Sequence, residues 1–187
     1  MRLDMLRHVR FIFVSLLLCL IAGKGQAWNF DDYVAGLKQD IKDTWDCGSL
    51  SAYVPVYAWH NRLTYDQEHI DKYNENPWGF GLGKSLTSGD EWHGLYAMAF
   101  KDSNDYLETF FGYAYLKNHS LNEAETWKVG YGYTIGLTQR HEYSYIPVPL
   151  PLPIGSISYK NVALQAAYVP GVKNDGNVLF TWLKFDF

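Results

Sequence analysis

The chain has 187 residues, enough for one domain or a small closed barrel, and it is rich in aromatic residues, with seven Trp and fifteen Tyr. Its formal net charge is −4, and without the first 27 residues the remaining 12 basic and 19 acidic residues give −7. Because nucleic-acid binding needs a basic face, this balance argues against a nucleic acid as partner.

The first 27 residues have the pattern of a secretory signal peptide. Three arginines within the first ten residues precede an uncharged apolar run at 11–22, which is too short for a spanning helix of roughly 20 residues. Cys19 in this segment is interpreted as part of the apolar run and not as a lipidated cysteine. The three positions before it are leucines, whereas a lipoprotein processing site usually has small residues there. We predict a signal peptide at 1–27 and a mature chain with one cysteine, Cys47, and no internal disulfide.

Residues 28–47 are predicted to form an amphipathic helix. Apolar residues recur there at spacings of three and four: Phe30, Tyr33, Val34, Leu37, Ile41 and Trp45. Asp31 and Asp32 suit the first turn of a helix, where the helix dipole favours negative charge. Such a helix packs on a soluble core or lies on a membrane leaflet, and the pattern alone does not separate the two.

From about residue 50 the apolar pattern has a period of two. In 129–138 every odd position is large and apolar and every even one is Gly or Thr, and 78–83 and 111–115 are similar. Turn residues separate about eight strands, at roughly 50–62, 77–87, 91–101, 107–117, 125–139, 150–159, 161–170 and 177–187. Because the residues on the second face of these strands are small and not charged, we predict an all-β domain at 48–187. It is an eight-stranded antiparallel transmembrane β-barrel with bulky residues toward lipid, preceded by the amphipathic helix.

Four strand ends meet at one end of such a barrel, here called the rim. They carry His60, 101–103, 139–141 and Pro170, and we expect the rim to face the cell exterior because periplasmic turns are short. If the bulky residues face lipid, the small ones face inward and either leave a slot for a hydrocarbon chain or only permit tight curvature. These small residues are Gly79, Gly81, Gly83, Gly112, Ala114, Gly130, Gly132 and Gly136.

Six stretches match a known family. They are YVPVYAWH at 53–60, YNENPWG at 73–79, WHGLYAMAFKDS at 92–103, YIPVP at 145–149, YVPG at 168–171 and GNVLF at 176–180. On these stretches the chain resembles the PagP family of lipid A palmitoyltransferases, in the same order and over essentially the whole mature chain. The long block at 92–103 is the most specific of the six.

The resemblance implies an outer-membrane enzyme that transfers a palmitoyl chain from the sn-1 position of a phospholipid donor to lipid A. It implies a monomer that needs no metal or other cofactor, and it places the helix at 28–47 on the periplasmic side of the barrel. The family's essential residues match His60, Asp102 and Ser103, and its functional loop arginine matches Arg140. The prolines that weaken strand pairing, and so open lateral gaps for lipids, match Pro55, Pro77, Pro153 and Pro170.

Two further positions concern the expected slot. Ala114 matches the family's acyl-measuring floor, which is a glycine in its best-known member, so the extra methyl is expected to shorten the preferred chain slightly. Met98 has the same parity as Trp92, Tyr96 and Phe100, and it either lines the slot or packs in an aromatic stripe.

Acyl transfer between oxygens needs a proton acceptor and a group that stabilises the oxyanion. His60 is the predicted base, Ser103 is a nucleophile or a hydrogen-bond donor, and Asp102 orients His60 or binds a sugar hydroxyl. Arg140 suits a lipid phosphate or a surface ion pair. Because neighbouring strand residues point to opposite faces, a simple triad of these side chains needs an irregular rim.

Two other functions stay open. A non-catalytic outer-membrane barrel that serves as an anchor or adhesin fits the alternation, but it gives no reason for the three residues at one rim. A soluble periplasmic binder of the lipocalin type also closes eight strands around an apolar ligand. The lipid-facing alternation and the terminal Phe187 make this second alternative the weaker one.

Overall fold

The computed structural model describes residues 29–187, so the predicted signal peptide lies outside the described residues. A helix, α1 (Phe30–Cys47), precedes eight strands, and a short helix, α2 (Gln67–Ile70), follows the first of them. The strands are β1 (Ser49–His60), β2 (Gly79–Ser88), β3 (Glu91–Lys101), β4 (Leu107–Ser120), β5 (Trp127–Gln139), β6 (Val148–Tyr159), β7 (Val162–Val169) and β8 (Val178–Asp186).

The eight strands form a closed antiparallel barrel. They lie in sequence order, and β8 pairs with β1 to close the sheet. The predicted fold class, an eight-stranded barrel preceded by a helix, is therefore confirmed. Because β8 pairs with β1, the sheet has no edge strand, which is the condition for a sheet to span lipid. No helix within 29–187 is both long and apolar enough to cross a bilayer.

The two faces of the strands follow the predicted alternation most clearly in β5. Tyr131 and Leu137 on the outer face are exposed, whereas Thr134 and Thr138 on the inner face are buried. In β2, Phe80 and Leu82 likewise point outward. A two-residue period therefore separates the outer surface of the barrel from its lining.

Strand β3 departs from the expectation that bulky residues face lipid. Its inner face carries Trp92, Tyr96, Met98 and Phe100, all buried. Three of these side chains lie opposite the inward glycines of β2, in the pairs Gly79 with Phe100, Gly81 with Met98 and Gly83 with Tyr96. A Cβ added at Gly81 would come within 2.4 Å of the Met98 side chain. These glycines thus make room for β3 side chains, and only the remaining space forms a slot.

Helix α1 packs against the outer wall of β2 and β3. Asn29 caps its first turn by accepting the N–H of Asp31. At the barrel end opposite the rim, Asp40 of the helix lies 4.0 Å from His93 of β3, and the Tyr33 and Tyr133 hydroxyls lie 3.1 Å apart. Phe30 remains exposed, which suits a helix that lies along a membrane surface.

The two ends of the barrel differ in the length of their connections. Residues 61–78, 102–106, 140–147 and 170–177 join strands at the rim, where the odd-numbered strands finish. At the other end the connections are only 89–90, 121–126 and 160–161. The rim therefore has enough loop to build a site above the barrel.

Strand pairing is incomplete at two places near the rim. The β1–β2 pairing ends at Tyr53 and Gly81 although β1 continues, and the β6–β7 pairing ends at Ile154 and Ala167 although β6 begins at Val148. Prolines stand beside both gaps: Pro55 and Pro77 at the first, Pro153 and Pro170 at the second. Because proline has no N–H to donate, these positions cannot complete a ladder.

Candidate active site

A cavity of about 870 Å³ extends from the rim into the barrel. Its upper part is lined by rim residues, among them His60, Asp102 and Ser103. Its lower part is apolar and is lined by Met98, Phe110, Leu150, Leu152, Phe180 and Trp182. A polar mouth above an apolar shaft can hold a hydrocarbon chain with its ester group at the rim.

An aromatic layer closes the lower end of this cavity. Tyr96 stacks on Tyr53, and its hydroxyl lies 2.7 Å from the Thr134 hydroxyl oxygen. Below the layer is a second, polar cavity of about 320 Å³ bordered by Trp92 and Lys184. The layer therefore sets the depth that a bound chain can reach.

His60 is held at the rim by the end of β1. It is only 2% exposed, and its ring stacks on Tyr73 while Tyr65 meets it edge-on. Its Nε2 lies 3.1 Å from the Ser103 hydroxyl oxygen. The structure thus brings together two of the three predicted catalytic side chains, although 43 positions separate them in the chain.

Asp102 and Ser103 lie in a turn after β3 and not in the strand, so their side chains need not point to opposite faces. Asp102 Oδ1 accepts the backbone N–H groups of Asn104 and Tyr106, both at 2.9 Å. Asp105 has a positive φ of 64°, which completes this turn. Asp102 therefore holds the turn that presents Ser103, and it makes no hydrogen bond to His60.

The carboxylate beside His60 belongs to Glu75, a residue that the sequence interpretation missed. Glu75 Oε1 lies 3.0 Å from His60 Nδ1 and accepts the His60 backbone N–H at 3.0 Å. Arg62 binds both of its oxygens, at 2.5 and 2.6 Å, and this guanidinium holds the pKa of Glu75 well below its usual range. The only sequence signal was its place within the family-like stretch at 73–79.

Arg140 lies among carboxylates of the chain itself. Its guanidinium is 3.2 Å from Glu108 and 3.7 Å from both Asp102 and Glu142. Thr138 donates a further hydrogen bond to Glu108 at 2.7 Å. The arginine is half-buried, so this is an ionic cluster within the rim and not the surface pair considered from sequence. It already neutralises part of the negative charge that surrounds it.

The other predicted residues lie at different depths. Met98 is buried and lines the cavity wall. Ala114 is fully buried beside its β5 partner Thr134, and it does not itself border the cavity. Pro77 and Pro170 line the cavity near the rim. Across residues 29–187, no group of three His, Cys, Asp or Glu side chains is placed to hold a metal ion.

Comparison with known proteins gives a consistent result. The family described as "Antimicrobial peptide resistance and lipid A acylation protein PagP" matches residues 40–184. A lipid A acyltransferase PagP from Proteus mirabilis is 48% identical over 159 residues, which are 84% of this chain and 75% of the relative. One from Dickeya chrysanthemi is 43% identical over 178 residues, or 94% and 91% of the two chains. The solved structure of neisserial surface protein A aligns with a TM-score of 0.37 at 14% sequence identity. The alignment covers 74% of this chain and 95% of that protein, and the likeness is too weak to support an argument about the fold.

Proposed function

The chain belongs to the PagP family of lipid A acyltransferases, and from this membership we propose that His60 and Ser103 carry out acyl transfer at the rim. The protein is an outer-membrane enzyme that moves an acyl chain from a phospholipid to lipid A. One observation carries the assignment of the site. His60 Nε2 and the Ser103 hydroxyl lie 3.1 Å apart at the mouth of an apolar cavity that can hold the chain being moved.

In the proposed reaction a hydroxyl of lipid A replaces the glycerol oxygen on the acyl carbonyl. His60 Nε2 accepts the proton of the attacking hydroxyl and later returns it to the leaving glycerol oxygen, so the base is regenerated. Ser103 either donates its O–H to the carbonyl oxygen or attacks first and forms an acyl-serine. Both routes use the same pair, because His60 Nε2 is the proton acceptor in each.

The lower cavity walls support a substrate with a long saturated chain. Met98, Leu152 and Trp182 offer apolar contacts along the shaft. Burial of each methylene contributes about 0.8 kcal/mol, so a palmitoyl chain from the sn-1 position gains most of its binding energy here. The two gaps in strand pairing beside Pro55 and Pro153 are the proposed routes by which lipids enter sideways from the membrane.

We propose that the rim faces the cell exterior, since its connections are long and those at the other end are short. Leu63 in the first rim connection is 94% exposed and marks this end. A Leu63→Cys variant in intact cells is expected to react with a membrane-impermeant maleimide. A Cys47→Ala background removes the other cysteine in 29–187, and labelling that requires cell lysis would reverse the orientation.

The experiment that tests the function is acyl transfer by the mature protein, refolded in detergent, from labelled phosphatidylcholine to lipid A. Chromatography is expected to reveal labelled lipid A that accumulates in proportion to enzyme. Lysophospholipid should form in equal amount, because the chain is transferred and not hydrolysed. A folded barrel that transfers nothing from several donors would instead support the anchor or adhesin alternative.

Chain length offers a second measurement. Ala114 shares a buried cluster with Tyr53 and Tyr96, so Ala114→Gly removes a methyl that supports the aromatic layer. The layer is expected to settle into that space, and the variant should prefer a chain longer by about one methylene. Competition among phosphatidylcholines of graded chain length, read out by mass spectrometry of lipid A, measures the preference. An identical profile for the variant and the wild type would remove Ala114 from the proposed floor.

A further inference from the structure

We propose that Glu75, and not Asp102, is the positioning residue that orients His60 for proton transfer. The inference deepens the proposed function, because it rests on His60 as the base for acyl transfer. It assigns a role to a loop carboxylate that lies outside both the strands and the predicted site.

The two ring nitrogens of His60 have different partners. Ionised Glu75 can only accept hydrogen bonds, so at 3.0 Å it requires the proton of a neutral imidazole to be on Nδ1. The lone pair of Nε2 is then free to accept the O–H of Ser103 at 3.1 Å. Glu75 thus selects the tautomer in which His60 is a base on its cavity side.

Glu75 itself is fixed by several partners. Besides His60, it binds the Arg62 guanidinium through both oxygens and accepts the Tyr57 hydroxyl at 2.6 Å. Its backbone carbonyl accepts the N–H of Ala58 at 2.9 Å, beside the gap in β1–β2 pairing. A carboxylate with this many partners has one position, which is what a residue that orients a base requires.

The contacts of Asp102 are to its own turn and to Arg140, and not to His60. One of its oxygens binds the two N–H groups of its own turn, and the other is 3.7 Å from Arg140. The family resemblance makes Asp102 essential, and on this proposal the reason is that Asp102 stabilises the turn that presents Ser103. The two carboxylates thus position different members of the pair.

The segment at 73–77 also joins both halves of the site. Tyr73 stacks on the His60 ring at 4.8 Å between centroids, and the Asn74 N–H donates to the Ser103 carbonyl at 2.9 Å. Asn74 donates a side-chain bond to Asp105 at 2.8 Å. Glu75 therefore lies in a segment whose neighbours set the distance between His60 and Ser103.

Glu75→Gln tests the proposal, since it keeps the size of the side chain and removes its charge. We expect kcat to fall by about 10²-fold or more with little change in KM, because glutamine no longer enforces one tautomer. The acid limb of the pH–rate profile should move to lower pH, since no carboxylate then stabilises the imidazolium. Long-range ¹⁵N NMR of histidine-labelled protein in micelles should show one tautomer in the wild type and a mixture in the variant.

Three controls separate orientation from loop structure. Arg62→Gln removes the ion pair but leaves Glu75 beside His60, so it should lose less activity than Glu75→Gln. Glu75→Asp should restore part of kcat, and Asp102→Asn should leave the His60 tautomer unchanged. A folded Glu75→Gln protein with the pH profile and tautomer of the wild type would overturn the inference. Because the NMR measurement needs no turnover, it also decides the matter if the wild type proves inactive.

Discussion

Replacement of His60 by alanine is expected to lower kcat for transfer to lipid A by about 10²–10⁴-fold, the usual contribution of a general base. The imidazole is the proposed acceptor for the proton of the attacking hydroxyl, and its Nε2 is the partner of the Ser103 hydroxyl at 3.1 Å, so the variant loses both. Ser103→Ala should cause a loss of similar size, because the pair acts as a unit and single losses are not additive. The double variant is therefore expected to be little worse than either single one.

The chain offers a matched control at the same rim. His141 stacks on Tyr106 at 4.0 Å between ring centroids and does not line the cavity. His141→Ala should keep most of the activity. The comparison shows whether activity depends on His60 in particular or on any histidine at the rim. Circular dichroism of each refolded variant establishes that the barrel has formed. If folded His60→Ala transferred acyl chains at the rate of the wild type, the proposed site would be wrong.

The sequence predicted the fold well because the physical constraint is simple. A strand between lipid and lumen must alternate, and 129–138 alternates without exception. The exception at β3 was not predictable from one strand, because the large residues Tyr96 and Met98 are accommodated by glycines on its neighbour. Which face of a strand can carry large inward side chains therefore depends on the neighbouring strand. The pairing register that brings the two strands together cannot be read from one segment of sequence.

The site was predicted less completely, and the reason lies in the loops. His60 and Ser103 were found through the family-like blocks, yet sequence parity argued against a simple arrangement because it treated the rim as strand. Glu75 lies in the long connection 61–78. Two hydrogen bonds to distant parts of the chain hold this connection in place, one between Glu75 and Ala58 and one between Asn74 and Ser103. Local pattern carries no information about such contacts, so a carboxylate that reaches an active site from a loop looks like any solvated glutamate.

Replacement of Arg140 is expected to change the stability of the barrel as much as its activity. Glu108 is 13% exposed and Asp102 is buried, and the guanidinium is the cation beside both of them. Arg140→Met is expected to destabilise the folded barrel by about 3–5 kcal/mol, the usual cost of leaving a buried charge without its partner. Chemical denaturation of the refolded protein in detergent measures the change.

A double-mutant cycle decides what the arginine is for. Glu108→Gln in the Arg140→Met background should recover much of the lost stability, because it removes the charge that was left unpaired. The predicted phosphate contact gives the opposite pattern, a higher KM for lipid A with stability unchanged and no rescue by Glu108→Gln. Recovery of stability without recovery of kcat would be consistent with the ionic cluster, since Asp102 would still lack the cation beside the turn that presents Ser103. The geometry favours the cluster, because three carboxylates around one guanidinium leave a net negative charge there, and this charge repels a phosphate.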